Sequence, residues 1–104
     1  MDKMQMREWL ATVEGAIDKK LKKWSKGSKI ENGEAVQFNW QFEQTHFIID
    51  VFWEDGQETV KLHYLGPRVH QQFTWHGLNA VTFDKIMDRV GNLAMLNAYP
   101  AFDA

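Results

Sequence analysis

Residues 45–65, THFIIDVFWEDGQETVKLHYL, carry the reading that decides the fold. Phe47, Ile49, Val51 and Trp53 fall on one side of an alternating stretch, the period of a half-buried strand. Asp55-Gly56 follows, the dipeptide that favours a two-residue type I′ hairpin because both central residues need positive φ. That turn predicts Val51 opposite Val60, Ile49 opposite Leu62 and Phe47 opposite Tyr64, so apolar meets apolar. Asp50 then faces Lys61 on the other side, as an expected ion pair.

Working towards the N-terminus, Val36, Phe38, Trp40 and Phe42 alternate with polar residues. A two-residue turn at Glu43-Gln44 sets Trp40 against Phe47, Phe38 against Ile49 and Val36 against Val51. Working the other way, Gly66-Pro67 marks a further turn, and Val69, Phe73 and Trp75 continue the alternation, with Gln71 as the exception. Four antiparallel strands in a meander are expected.

Both flanks read as amphipathic helices. Met6, Trp9, Leu10, Val13, Ile17, Leu21 and Trp24 recur at steps of three and four, which predicts a helix over residues 3–26 that Gly27 stops. Asp18 stands four residues before Lys22, in the favourable acid-first order. Phe83, Ile86, Met87, Val90, Leu93 and Ala94 form the second stripe, with Thr82 as N-cap, Asp84 in the first turn and Pro100 as the boundary. Residues 25–34, SKGSKIENGE, read as the longest loop. The expected fold is one α+β domain over residues 1–104: helix, four-stranded antiparallel meander, helix, with both helices packed on one face. Its core should include Trp9, Trp40, Ile49, Val51, Leu62, Phe73 and Val90.

The composition, with 44% hydrophobic and 25% charged residues, is that of a globular domain. The absence of cysteine excludes a disulfide framework, a thiolate metal site and a cysteine nucleophile. Met1–Leu10 lacks a signal-peptide apolar run, and no stretch reaches the ~18 apolar residues of a membrane helix. A cytoplasmic protein without membrane attachment is expected.

Catalytic patterns are missing. The only serines, Ser25 and Ser28, lie beside lysines with no base in sight, and the seven glycines are isolated, so no phosphate-cradling loop can be assembled. No catalytic residue and no cofactor is assigned, and the protein is not expected to be an enzyme. A two-residue Gly66-Pro67 turn would make His63 and His70 direct cross-strand neighbours, with His46 diagonal to His63, a set that could hold zinc. Water-facing strand positions filled by polar residues account for these histidines more simply, so no metal ligand is assigned.

Two surfaces remain as candidates. The face opposite the core mixes Ile48, Phe52 and Leu65 with Lys61, His63 and His70, which suits a contact patch for another protein or for a second copy packed sheet against sheet. The expected function is therefore a small non-enzymatic protein-binding module: an adaptor, inhibitor or chaperone-like domain. The alternative is nucleic-acid binding through Lys19, Lys22, Lys23, Lys26 and Lys29 at the end of the first helix. Residues 1–33 carry eight Lys and Arg against five Asp and Glu, but the formal net charge of the whole chain is -2, which disfavours a polyanion partner.

Overall fold

The computed structural model describes residues 3–32, 35–54 and 56–98. Helix α1 (Lys3–Lys20) leads into two short strands, β1 (Ser25–Lys26) and β2 (Ile30–Asn32). Four long strands follow, β3 (Ala35–Phe42), β4 (Thr45–Glu54), β5 (Gln57–Leu65) and β6 (His70–His76), and then helix α2 (Ala80–Ala98). The sheet has six antiparallel strands in the order β1-β3-β4-β5-β6, with β2 beside β1 along the same edge of β3. The expected meander is therefore present but not complete in itself.

Both central hairpins have the expected register. Val36, Phe38 and Trp40 oppose Val51, Ile49 and Phe47, and Val51, Ile49 and Phe47 in turn oppose Val60, Leu62 and Tyr64. The turn between β3 and β4 holds Glu43 at φ 55, an unusual conformation for a residue with a side chain. In the next turn Gly56 has φ 75, and Asp55 lies outside the described residues. Alternation places the inward set on the helix side, where Trp40, Phe47, Ile49, Val51, Val60 and Leu62 are at most 1% exposed. Val13 and Ile17 of α1 and Ile86 and Val90 of α2 join them in one buried cluster. Trp9 and Phe73 pack against that cluster half-buried.

Several expectations are corrected. Helix α1 ends at Lys20 rather than continuing to residue 26. Leu21 still buries and Trp24 packs its ring 5.1 Å from Phe47 and 5.7 Å from Phe42, but they do so from a turn. A step of three apolar residues fits a turn as well as a helix. The chain then reverses and lays residues 25–26 and 30–32 along β3, in the segment expected to be loop. Pairing there satisfies backbone groups that a bare edge would leave open.

Gly27 accordingly has a different task from stopping a helix. Its N–H donates to Asn39 O at 2.9 Å, and a Cβ on it would collide with the Asn39 side-chain amide. A side chain at this position would have to push the Asn39 amide aside, and glycine lets the edge lie against β3 without that shift.

Helix α2 starts before Thr82. Asn79 is the N-cap, its Oδ1 accepting from Thr82 N at 2.9 Å, while the Thr82 hydroxyl donates to Gly77 O at 2.8 Å. Asp84 consequently falls beyond the first turn, and Pro100 lies outside the described residues.

The connection from β5 to β6 takes four residues, not two. Gly66 N donates to Val69 O at 2.8 Å, Leu65 pairs with His70, and His63 pairs with Gln72. Val69 thus belongs to the loop, 43% exposed.

Candidate functional site

Strand alternation gathers Ile48, Phe52, Lys61, His63 and Leu65 on the face away from the helices, each half-buried, with His70 exposed at the β6 edge. The helices' core residues all meet the opposite face, so this outer face rests on strand side chains alone. Ile48 stands directly opposite His63 and diagonal to Leu65. Phe52 is set apart from that pair, because Asp50 lies between Phe52 and Ile48 on the same side of β4.

Asp50 is the hub of the face. Gln37 Nε2 donates to its Oδ1 at 2.8 Å, and His63 Nε2 lies 3.1 Å from its Oδ2. The expected Asp50–Lys61 ion pair does not form, although the two are directly opposed. Both carboxylate oxygens are occupied, and the Lys61 ammonium instead sits 5.3 Å from the centroid of the Phe52 ring, a cation–π placement. Thr59 is fully buried despite facing outward, with its hydroxyl 3.3 Å from His76 Nδ1. These contacts hold the polar side chains of the face in fixed positions.

The histidines do not assemble as a metal centre. The longer β5–β6 loop makes His63 and His70 diagonal rather than direct neighbours, with ring centroids 6.0 Å apart. His63 already engages Asp50, and no group of three His, Asp or Glu among the described residues can hold a metal ion.

One contributor was hidden in the segment read as loop. Ile30 of β2 pairs with Gln37, which places it on the outer face, 53% exposed. With Asn32, Gln37, Asp50 and Phe52 it borders an open hollow of about 260 Å³. The signal was the glycine at position 33, a turn residue between Ile30-Glu31-Asn32 and the alternating run that starts at Ala35.

The lysines separate into two groups. Lys26 of β1 points to the helix side and binds Glu14 and Asp18 of α1, the latter at 3.1 Å, and Lys29 lies 3.6 Å from Glu31. Asp18 therefore serves Lys26 and the Trp40 indole N–H, at 2.9 Å, in place of the expected Lys22. Partial burial acts to lower the Lys26 pKa, but the hydrogen bonds and charges of Glu14 and Asp18 outweigh it and hold the group above the ordinary lysine value. Lys19, Lys22 and Lys23 are exposed and have no ion partner among the described residues.

No known protein family matches the chain, and neither a curated protein nor a solved structure matches it. No described helix is long and apolar enough to cross a membrane.

Proposed function

We propose that this chain is a small non-enzymatic protein-binding module, of adaptor, inhibitor or chaperone type, which docks another protein on the outer face of its sheet. One observation supports the reading above the others. Ile48, Phe52 and Leu65 keep apolar surface on a face that the helices' core residues do not cover, while the polar groups among them are already tied together as Gln37–Asp50–His63. A partner therefore meets apolar anchors with a pre-ordered polar surround, the anatomy of an interface core and rim. The hollow beside Ile30 and Phe52 is of a size to take one side chain of the partner. A cytoplasmic setting belongs to the same proposal, since a domain without cysteine needs no oxidising compartment.

The test is capture from native lysate with and without nuclease, using wild type and the Phe52→Glu and Ile48→Glu variants, followed by photo-crosslinking from position 48. A nuclease-resistant partner that crosslinks at this face and is lost with either variant is the expected result. Capture that nuclease abolishes points instead to Lys19, Lys22 and Lys23. Small-molecule turnover by the purified chain, abolished by changing one acid or histidine, overturns the reading.

A further inference from the structure

The two edges of the sheet are treated differently. Along β3 the outer edge is covered by β1 and β2, with Lys26 and Lys29 nearby. Along β6 no described strand covers it. Which backbone groups this leaves open follows from the pairing pattern. Gly77 N donates to Glu58 O at 2.8 Å and Gly66 N to Val69 O at 2.8 Å, so the hydrogen-bonded pairs of this ladder are those that use odd-numbered β6 residues. Antiparallel ladders alternate, and Gln71, Phe73 and Trp75 therefore bond to β5 while His70, Gln72, Thr74 and His76 direct N–H and C=O away from the sheet. Edges of this kind are usually blunted by lysine, proline or a bulge. The stretch HQQFTWH has neither lysine nor proline, and its register with β5 runs without a bulge from His70 to His76.

We infer that β6 is the docking edge for a second copy of this chain, paired antiparallel about a two-fold axis at Phe73. About that residue the strand has His at both ends and an uncharged polar residue, Gln72 or Thr74, on either side, while Gln71 and Trp75 beyond them differ. An axis there sets His70 against His76 of the second copy and Gln72 against its Thr74. Every outward N–H of both strands then finds a carbonyl. The two Phe73 side chains meet at the axis as a non-hydrogen-bonded pair, the arrangement that brings side chains closest. Phe73 is half-buried on the helix side with Trp75 stacked 6.2 Å away, so the contact adds aromatic surface to an existing cluster. No Asp, Glu, Lys or Arg lies on β6, so like charges on the strand itself do not oppose self-pairing. Arg89 stands 4.4 Å over each Phe73, which brings one cation per copy towards the axis and makes the pairing stronger as salt rises. The result is one continuous sheet whose outer face is doubled.

Sedimentation equilibrium from micromolar to submillimolar concentration, with amide hydrogen exchange read by NMR, tests this. The expected result is a concentration-dependent dimer in which the amides of His70, Gln72, Thr74 and His76 gain protection on dimerisation while those of Gln71, Phe73 and Trp75 are protected throughout. Thr74→Pro removes an outward N–H and no β5 bond, so it should leave a folded monomer. Gln72→Glu/Thr74→Glu and Gln72→Lys/Thr74→Lys should each be monomeric, because the paired positions repel, and should dimerise when mixed. A monomer at all concentrations overturns the inference. So does a dimer with the four outward amides unprotected, a monomer in which they are already protected by the chain itself, or failure of the two charged variants to associate.

Discussion

Lys26 of β1 and Asp18 of α1 meet at 3.1 Å, Nζ to Oδ2, and the same carboxylate accepts from the Trp40 indole at 2.9 Å. One acid on the helix therefore fixes both the edge strand and a core tryptophan of β3. This contact is the point at which the chain leaving α1 is turned back onto the sheet.

Removing the ammonium with Lys26→Met should cost about 0.5–1 kcal/mol at neutral pH, a figure kept small because the group is partly solvated and screened. The Lys26 pKa is raised in the folded state, so its contribution is fully present below the unfolded value and is lost as pH rises through the folded one. The stability gap between wild type and variant should accordingly be constant near neutrality and close in strongly alkaline buffer. Denaturant titrations at a series of alkaline pH values measure it.

Gly27→Ala should destabilise by about 1–3 kcal/mol, since the new methyl collides with Asn39 Oδ1 and Cγ. In the Asn39→Ala background most of that penalty should vanish, because the colliding atoms are gone. A double-mutant cycle showing simple additivity would contradict the close approach.

Asn79→Ala removes the side-chain acceptor for Thr82 N and should cost about 1 kcal/mol. The Trp9 indole N–H donates to the Asn79 carbonyl at 3.2 Å, a main-chain contact that the substitution retains. Thermal unfolding should therefore shift while the near-ultraviolet signal of the native state persists.

Ile49→Ala or Leu62→Ala should cost about 2–5 kcal/mol, because both side chains are 0% exposed and face each other across β4 and β5. Leu65→Ala, on the outer face, should cost clearly less by the same equilibrium measurement.

What the amino-acid order determined by itself is the centre of the sheet. Asp55-Gly56 and Glu43-Gln44 read as short turns between alternating runs, and once such a turn is placed the register of both strands follows, because a slip of one residue would expose every core side chain. The inward position of Ile49 and the outward position of Ile48 rest on nothing more. Only the tertiary structure decided where α1 stops, how the β3 edge is covered and how long the β5–β6 connection is. Leu21 and Trp24 satisfy a helical stripe as written, and the chain leaves that stripe because backbone groups on β3 and the carboxylates of Glu14 and Asp18 await partners that residues 25–32 supply. Likewise Gly66-Pro67 announces a turn without its length. The four-residue loop moves His70 from opposite His63 to opposite Leu65, which separates a pair that the shorter turn would have joined. Periodicity and turn chemistry are local and visible in one dimension, whereas the satisfaction of a sheet edge depends on groups many residues apart.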